Sequence, residues 1–408
     1  MDKKIICVLG LGYIGLPTAS LLACKGHIVN GVDVNPDVVN TINQGKIHIV
    51  EPDLDRYVKL AIESGNLIAT EIPQKSDVYI ICVPTPFSGQ DDNPIPNIDY
   101  VVDAAKSIAP LLQKNNMVIL ESTCPIGTTD EIKTIFDNMG VETSSIDIAY
   151  CPERVLPGNI MEELTKNDRI VGGIDNKSSA SIAEFYKTFV TGDVVSTNAR
   201  TAEMCKLTEN SFRDVNIAFA NELSIICEAN GVNIWDLVSL ANKHPRVNIL
   251  QPGPGVGGHC IAVDPWFLIA GDTKNSRLIR LGREINDSKT IWVIDQITLR
   301  ASEMALQLKR KITIACFGIT FKPNIDDLRQ SPALKVAMAL LERDLDVVVV
   351  DPNIKSHDLF NIVRMDSSFK ICDLVVMLVP HNEFKNPLII ERILQKETLD
   401  FVGLLAER

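Results

Sequence analysis

The sequence predicts an α/β protein with two doubly wound parallel-sheet domains, joined by a helical core with a long central helix. Short, continuous apolar runs alternate with helical patterns at both ends of the chain. Such runs are typical of strands that a parallel sheet buries on both faces. The middle section shows helical periodicity instead, and residues 199–230 contain no glycine or proline. The two ends also share short motifs, which indicates that both sheet domains are Rossmann-like.

The first predicted domain covers residues 1–198. Helical patterns such as Tyr13–Lys25 and Tyr100–Leu112 fill the intervals between its apolar runs. Phe87–Ile98 carries a polar run and two prolines, and we expect it to be a mobile loop. The predicted strands are Ile5–Leu9, Ile28–Val32, Val78–Val83, Met117–Leu120 and Ile146–Tyr150.

The helical core is predicted over residues 199–308 and the second sheet domain over residues 309–408. The core should contain helices over 199–230, Trp235–Asn242 and Arg277–Leu308, with a Pro/Gly-rich loop from Gln251 to Asp264. The strand–helix alternation then returns. Its predicted strands are Ile312–Phe317, Val347–Val350 and Leu374–Val379.

Composition excludes several classes of protein. The chain has 408 residues, 46% hydrophobic and 23% charged, which is typical of globular domains and not of disordered chains. A net charge of −12 argues against a broad nucleic-acid surface. The ten cysteines and six histidines show neither Cys-x-x-Cys nor His-x-x-x-His spacing, so we expect no metal and a reducing cytoplasm. The apolar runs are too short for a signal peptide or a membrane span, and we expect no membrane partner.

A glycine-rich turn near the start of the chain predicts a dinucleotide site. The turn follows the first strand, opens a helical pattern, and reads Gly10-Leu11-Gly12-Tyr13-Ile14-Gly15. Glycines let the backbone approach a pyrophosphate, and the helix N-terminus offers N–H groups. Asp33 ends the next strand, where it would accept hydrogen bonds from the ribose and repel a 2′-phosphate. We therefore predict NAD rather than NADP.

Two later loops leave strand ends on the same side of the predicted sheet. They contain Thr85 and Thr123, whose hydroxyls could reach the cofactor. The alternative is that both threonines are ordinary cap or turn residues.

Cys260 is the candidate nucleophile. Six glycines and prolines lie among the eight residues from 251 to 258, just before it, and such a loop lets a ligand approach the thiol closely. Cys7, Cys82, Cys316 and Cys372 lie in or beside strands and are predicted to be core residues. A buried structural role for Cys260 remains the alternative.

Lys206, Asn210 and Arg213 share one face of the long helix. A polar stripe of this kind is usually solvated. It also fits an anionic ligand, and Lys206 could stabilise an alkoxide.

In family order, these motifs resemble the UDP-glucose/GDP-mannose dehydrogenases over essentially the whole chain. The motifs are Gly10–Gly15, Val83-Pro84-Thr85-Pro86, Ser122-Thr123, Cys151-Pro152-Glu153-Arg154, Lys206 with Asn210, Gly257-Gly258-His259-Cys260 with Asp264, and Phe321-Lys322-Pro323 through Asp327-Leu328-Arg329. The resemblance implies an NAD domain, a helical core that forms a homodimer, and a C-terminal sugar-nucleotide domain. It implies four-electron oxidation of a sugar alcohol to a carboxylate with two NAD, and UDP-N-acetyl-D-mannosamine is the expected substrate. Pro157 stands where UDP-glucose members carry an acidic residue, which argues against UDP-glucose.

The resemblance also implies roles for individual residues. Cys260 would be the nucleophile, Lys206 the acid/base and Asn210 an oxyanion partner, while Asp264 and Thr123 would position water and Glu153 could carry protons. The implied cofactor contacts are Gly10, Gly12, Tyr13, Ile14, Gly15, Asp33, Thr85, Thr123 and Arg329. The implied substrate contacts are Arg154, Val155, Lys206, Asn210, Arg213, His244, Arg246, Gly257, Phe321 and Lys322, with Arg246 able to act across a dimer.

Several alternatives remain open. A sister enzyme could act on UDP-N-acetylglucosamine or UDP-glucose, because epimers differ by few contacts. A two-electron 3-hydroxyacid dehydrogenase would need neither Cys260 nor residues 312–408. A non-enzymatic NAD sensor would be expected to lack the nucleophile or the lysine, and both are present.

Overall fold

The computed structural model describes residues 3–90, 93–156 and 158–406. They form two compact units. The first runs to Thr208 and includes Trp266–Gly271, and the second comprises Glu209–Pro265 and the chain from Asp272 onward. The division into domains 1–198, 199–308 and 309–408 stays a prediction.

A large sheet lies at the centre of the first unit. The described strands of this unit are β1 (Ile5–Leu9), β2 (Ile28–Val32), β3 (Leu67–Thr70), β4 (Val78–Ile81), β5 (Phe87–Gln90), β6 (Asn93–Pro96), β7 (Met117–Leu120), β8 (Asp147–Tyr150), β9 (Arg169–Gly173) and β10 (Val194–Asn198). Eight of them form one sheet in the order β10-β9-β8-β7-β4-β1-β2-β3. Its pairs are parallel except β8 with β9. The predicted parallel-sheet fold is confirmed, with this one antiparallel pairing added.

Helices cover the sheet of the first unit. Asn35 caps one of them by accepting the N–H of Asp37, and Pro36 begins it. These helices are α1 (Gly15–Cys24), α2 (Pro36–Asn43), α3 (Leu54–Glu63), α4 (Asp99–Ile108), α5 (Thr128–Asn138), α6 (Ile160–Lys166) and α7 (Asn176–Lys187), followed by α8 (Ala199–Ala229), within which the two units divide.

All five strands predicted in this half form, within two residues of the expected bounds. The segment Phe87–Ile98, expected to be a mobile loop, instead contains the antiparallel pair β5 and β6. Phe87 also packs against Phe267, with ring centroids 5.0 Å apart. Residues 91 and 92 of the polar run lie outside the described residues, and mobility of this segment stays a prediction.

The second unit contains a four-stranded parallel sheet. Its strands are β11 (Thr313–Phe317), β12 (Asp346–Val350), β13 (Leu374–Met377) and β14 (Glu397–Asp400), in the order β12-β11-β13-β14. The helices that follow α8 are α9 (Ile234–Ala241), α10 (Asp264–Gly271), α11 (Arg277–Leu308), α12 (Pro332–Glu342), α13 (Met365–Ile371) and α14 (Pro387–Leu394). The prediction of α11 is confirmed at both ends. Among the described residues, none of the helices combines the length and apolarity that crossing a membrane requires.

One lysine is buried between α8 and α11. The ammonium nitrogen of Lys289 donates to the Ser224 hydroxyl at 2.7 Å and lies 3.6 Å from the centre of the Trp292 ring. Burial lowers the pKa of Lys289 from 10.5 to about 7, against the opposing effect of the Glu228 carboxylate. The unfolded chain, in which this lysine is solvated, therefore binds a proton more readily than the folded one.

We expect Lys289→Met to raise the free energy of unfolding at pH 7.5 and to flatten its pH dependence. In the wild type this lysine lowers stability as pH falls from 10.5 towards 7, by up to about 1.4 kcal/mol per pH unit. Denaturant unfolding between pH 7 and pH 10 measures this slope. Lys335→Met, at an exposed position on α12, is the matched control and should keep the wild-type slope. An unchanged slope in Lys289→Met would contradict the prediction.

Candidate functional site

The turn after β1 has the geometry of a phosphate-binding loop. Gly10 has a φ of +87°, and a Cβ there would lie 2.7 Å from the Cys82 carbonyl oxygen. A Cβ at Gly15 would lie 1.8 Å from the carbonyl oxygen of Gly10, so only glycine fits at either position. By contrast, a Cβ on Gly12 would meet nothing within 4 Å. The middle glycine therefore keeps open the space through which a pyrophosphate would approach the N-terminus of α1.

Gly12→Ala should weaken NAD binding without destabilising the protein. The added methyl group has no protein atom to clash with, but it enters the space that a pyrophosphate would use. We expect the Michaelis constant for NAD to rise about tenfold or more, with an unchanged melting temperature. Gly271→Ala is the matched control, because a Cβ there also meets nothing within 4 Å. Equal Michaelis constants for NAD in the two variants would refute the assignment of this turn as the pyrophosphate site.

Asp33 is held at the end of β2 by two backbone groups. Its Oδ2 accepts the N–H of Leu11 at 3.0 Å, and its Oδ1 accepts the N–H of Asn35 at 2.9 Å. Because each carboxylate oxygen can accept a second hydrogen bond, the group can still receive two ribose hydroxyls. The same negative charge would repel a 2′-phosphate.

Sequence reasoning did not find the cavity in the segment that follows α2. It has a volume of about 450 Å³ and is lined by residues 47–53 and Asp55. Burial lowers the pKa of His48 in this segment, although the nearby Asp33 carboxylate raises it. A segment this short gave no periodic signal by which the cavity could have been predicted.

Strand β4, which lies next to β1, and its other neighbour β7 bring the two predicted threonine loops to one edge of the sheet. Thr85 follows β4 and Thr123 follows β7, and these strands are neighbours in the sheet. The Ser122 hydroxyl donates to the Val83 carbonyl at 2.7 Å, which ties the two loops together. Both threonines are half-buried. The carboxyl edge of a parallel sheet is where such folds bind nucleotides, so their placement suits the predicted cofactor role.

Glu153 is buried and both of its carboxylate oxygens are engaged. Oε2 forms an ion pair with the buried Arg169 at 2.5 Å, and Oε1 accepts the N–H of Arg154 at 2.7 Å. Glu153 therefore has a charge-assisted partner on one oxygen and a backbone donor on the other. Its predicted part in proton transfer would require this ion pair to weaken, and that role stays a prediction.

A second buried carboxylate, Glu121, lies near Glu153 and Arg169. Sequence reasoning did not identify it. It accepts hydrogen bonds from Tyr186 at 2.5 Å and Cys82 at 3.3 Å. Burial raises the pKa of Glu121, and Arg169 partly offsets the effect. The available signal was an acidic residue directly after the apolar run 117–120.

Two further predicted residues lie in the loop after β8. The Arg154 guanidinium donates to the Asp168 carbonyl at 3.3 Å. Val155 is half-buried, and Pro157 lies outside the described residues.

The beginning of α8 is anchored beside Lys206. Glu203, one turn earlier, is fully buried and accepts the backbone N–H groups of Gly127 at 2.6 Å and Thr129 at 2.9 Å. Both groups belong to the start of α5, so Glu203 caps that helix and fixes α8 against it. Lys206 itself is half-buried. Lys206 therefore extends from a part of α8 that Glu203 fixes to the start of α5.

The second unit brings three of the predicted catalytic residues together. Cys260 is exposed, and its carbonyl oxygen accepts the N–H groups of Val263 at 3.1 Å and Asp264 at 2.8 Å, in the turn that begins α10. Asp264 and Asn210 are both buried, with Asn210 Nδ2 donating to Asp264 Oδ2 at 2.6 Å. The exposed thiol can attack a carbonyl carbon, and the amide–carboxylate pair, whose Asp264 follows four residues later, can stabilise an oxyanion and orient water.

The glycines before Cys260 are required by their surroundings. A Cβ at Gly257 would lie 2.5 Å from the Gln330 carbonyl oxygen, and a Cβ at Gly258 would lie 2.7 Å from the Phe321 ring. Phe321 and Lys322 are half-buried in this unit. These glycines thus let the cysteine loop pack closely against the Phe321 loop.

The remaining predicted ligand contacts are more exposed. Arg329 pairs with Asp327, with Nη2 at 2.6 Å from Oδ2. Arg213, His244 and Arg246 are also exposed. These side chains offer cationic and hydrogen-bonding groups to an anionic ligand. Among the described residues there is no group of three or more His, Cys, Asp or Glu that could hold a metal ion.

Three domain families match consecutive parts of the chain. They are the NAD binding domain of the UDP-glucose/GDP-mannose dehydrogenase family over residues 4–190, the central domain of that family over 200–288, and its UDP binding domain over 315–404. Each matched region contains one of the features described above: the glycine turn, the long helix, and the Phe321 loop.

Known proteins of this family are similar over nearly their whole length. The UDP-N-acetyl-D-mannosamine dehydrogenase of Salmonella typhi is 53% identical over 403 residues, which cover 94% of this chain and 95% of the relative. The NDP-N-acetyl-D-galactosaminuronic acid dehydrogenase of Ralstonia nicotianae is 48% identical, covering 99% of this chain and 97% of the relative. The solved UDP-D-ManNAc dehydrogenase of Pyrococcus horikoshii is 37% identical with a TM-score of 0.88, covering 99% and 96% of the two chains. The chain therefore belongs to the UDP-glucose/GDP-mannose dehydrogenase family and is an NAD-dependent nucleotide-sugar dehydrogenase.

Proposed function

We propose that the protein oxidises UDP-N-acetyl-D-mannosamine to UDP-N-acetyl-D-mannosaminuronate in two NAD-dependent steps, through a covalent adduct on Cys260. The observation that carries this proposal is the exposed Cys260 thiol on a glycine-rich loop that leads directly to the buried Asp264–Asn210 pair. A two-electron alcohol dehydrogenase has no need of a thiol there. The substrate is supported by the 53% identical Salmonella typhi relative of that name.

The first unit has the features that NAD requires. Gly12 leaves space for the pyrophosphate, and Asp33 offers acceptors for the ribose hydroxyls. NAD held by these residues would supply the acceptor for the hydride that each oxidation removes from the sugar carbon. Tyr13, Ile14, Thr85 and Thr123 are proposed as further contacts, together with Arg329.

The chain's own residues carry the proton transfers. Lys206 accepts the proton of the sugar hydroxyl as the carbon loses its hydride, which gives the aldehyde. The Cys260 thiolate then forms a carbon–sulfur bond to the aldehyde carbon, and Lys206 protonates the resulting oxygen. Loss of that proton and of a second hydride gives a thioester. A free aldehyde has no alkoxide to expel hydride, and the adduct supplies one.

Hydrolysis of the thioester completes the reaction. Asp264 and Thr123 orient a water molecule, which attacks the carbonyl carbon, and Asn210 stabilises the oxyanion by donating from its amide. The carbon–sulfur bond then breaks, which releases the carboxylate and regenerates the thiolate. Glu153 is proposed as a further group for proton transfer.

Local cations are proposed to bind the UDP-sugar, since the net charge of −12 does not attract an anion. The proposed contacts are Arg154, Val155, Lys206, Asn210, Arg213, His244, Arg246, Gly257, Phe321 and Lys322. The family resemblance implies all of these contacts, and most of these side chains are exposed or partly buried, which supports the proposal.

A homodimer formed through the central helical section is part of the proposal. Phe212, Phe219 and Ile226 recur every seven residues on α8 and are 67%, 50% and 52% exposed. Such a stripe on one helix face fits the same stripe of a second copy, and Arg246 could then act across the interface. Analytical ultracentrifugation would contradict this if it found a monomer at micromolar concentration.

The proposed setting is the cytoplasm of a prokaryote that makes surface polysaccharide. All ten cysteines are free thiols, which suits a reducing compartment. The proposed product, a nucleotide-linked uronic acid, is a donor that a glycosyltransferase would use. The proposed domains are 1–198 for NAD, 199–308 for the helical core and 309–408 for the UDP-sugar.

Progress curves at limiting sugar nucleotide and excess NAD test the proposal. UDP-N-acetylmannosamine should give two NADH per sugar, and UDP-N-acetylglucosamine and UDP-glucose should react slowly. One NADH per sugar would remove the thioester step. Two NADH from another sugar would keep the chemistry and transfer the assignment to a sister enzyme, and UDP-N-acetylgalactosamine belongs in the panel because of the Ralstonia relative.

A further inference from the structure

The two sheets begin in the same way. The first strand of each ends at a glycine with positive φ, +87° at Gly10 and +85° at Gly318. The residue after each glycine donates its N–H to an aspartate at the end of the next strand, at 3.0 Å to Asp33 and 2.8 Å to Asp351. The second unit thus repeats the turn and the acidic residue of a ribose-binding site.

In the second unit, however, a histidine occupies the space beside that aspartate. His381 is fully buried, and its Nε2 lies 3.3 Å from Asp351 Oδ2 and 3.3 Å from Thr320 Oγ1. Its Nδ1 lies 3.0 Å from the backbone nitrogen of Asn324 and 3.0 Å from Asn353 Nδ2. A backbone N–H can only donate, so Nδ1 is an acceptor and the ring proton is on Nε2, facing the carboxylate. Asp351 therefore orients the imidazole.

His381 holds both ends of one turn, residues 320–324. The Thr320 hydroxyl at its start donates to the Lys322 carbonyl at 2.9 Å. Asn324 at its end has a φ of +64°, a conformation that needs support in a residue other than glycine. Its Oδ1 accepts the N–H of Asn382, the residue after His381, at 2.9 Å. Hydrogen bonds from main-chain and side-chain groups thus hold the turn against His381 and Asn382.

The 320–324 turn carries Phe321, and Phe321 packs against the loop that leads to Cys260. A Cβ added at Gly258 would lie 2.7 Å from its ring, and one at Gly257 would lie 3.0 Å from its Cβ. The N–H of Gly258 also donates to the Arg329 carbonyl at 3.3 Å. A shift of the turn would therefore be transmitted to the cysteine loop within two residues of the thiol.

We propose that His381 is a positioning residue: oriented by Asp351, it fixes the 320–324 turn and through Phe321 sets the position of the Cys260 loop. Asp351, the counterpart of Asp33 in the second unit, thus supports the loop that carries the nucleophile and does not bind a second dinucleotide. The consequence for the reaction rests on the proposed function, but the effect on the Cys260 loop does not.

Two substitutions separate the two sides of the ring. His381→Asn keeps an acceptor near the position of Nδ1, so the N–H of Asn324 retains its partner. His381→Gln keeps a donor near Nε2 and loses that acceptor. If support of the 320–324 turn by Nδ1 positions the Cys260 loop, His381→Gln should lower the turnover number about 10- to 100-fold, and His381→Asn should lower it much less. Melting temperatures of both variants show whether each is folded at the temperature of the assay.

Two readouts distinguish positioning from a purely structural role. In His381→Gln, the NADH formed per sugar should fall clearly below two, because the aldehyde leaves before a displaced thiol captures it. The rate at which iodoacetamide alkylates Cys260, followed by mass spectrometry, should change several-fold, whereas Cys24, exposed in the first unit, should keep its rate.

The outcomes divide cleanly. Wild-type alkylation of Cys260 in His381→Gln, or an equal loss of activity in both variants with two NADH per sugar retained, would overturn the proposal. If wild-type protein itself gave one NADH per sugar, the proposed function would fail. The alkylation comparison would then still decide whether His381 positions the loop.

Discussion

Replacing Cys260 with alanine should abolish formation of the sugar acid while the protein stays folded. Without the thiol no adduct forms on the aldehyde, so no alkoxide is available to expel the second hydride. We expect acid formation to fall roughly 10³-fold or more and NADH to stop at one per sugar or below. Quantifying acid and aldehyde by mass spectrometry in single-turnover reactions measures both.

Cys24→Ala is the matched control for this experiment. Cys24 is also exposed but lies at the end of α1, far along the chain from the cysteine loop, and its Sγ donates to the Tyr57 carbonyl at 3.6 Å. Its loss should leave acid formation unchanged. Uronic acid made by Cys260→Ala at near the wild-type rate would show that the covalent route is wrong.

Lys206→Ala should lower the turnover number far more than the affinity for the sugar nucleotide. A group that moves a proton in the transition state contributes roughly 10²- to 10⁴-fold to the rate. The helix that carries Lys206 is anchored by Glu203, whose bonds to Gly127 and Thr129 are unaffected by the substitution. We therefore expect the loss to reflect chemistry and not displacement of α8.

Steady-state kinetics with both substrates varied separates the two roles of this lysine. Lys106→Ala, at an exposed lysine on α4, is the control and should behave as wild type. If Lys206→Ala raised the Michaelis constant for the sugar nucleotide with an unchanged turnover number, the lysine would be a binding residue.

The fold could be predicted from the sequence where the signal was apolar and local. β1 and β7 form at the predicted bounds because continuous apolar runs are typical of a sheet covered on both faces. β2 also forms at its predicted bounds, although Asn30 and Gly31 interrupt its apolar run. α11 begins and ends where its periodicity does. Strands β5 and β6 were missed because their segment was expected to be a loop. Four further strands were missed, namely β3, β9, β10 and β14. Three of them lie at sheet edges, where side chains are partly exposed and the apolar signal is weak.

By itself, the sequence determined the α/β class, the glycine turn with Asp33, and the thiol loop, because each depends on residues close together in the chain. Only the tertiary structure decided which polar groups meet. Asn210 and Asp264 are 54 residues apart, and Glu121 reaches Tyr186 across 65. His381 follows β13 and contacts residues that follow two other strands, β11 and β12. Burial makes an unpartnered polar group costly, so folding pairs distant groups that no local pattern marks.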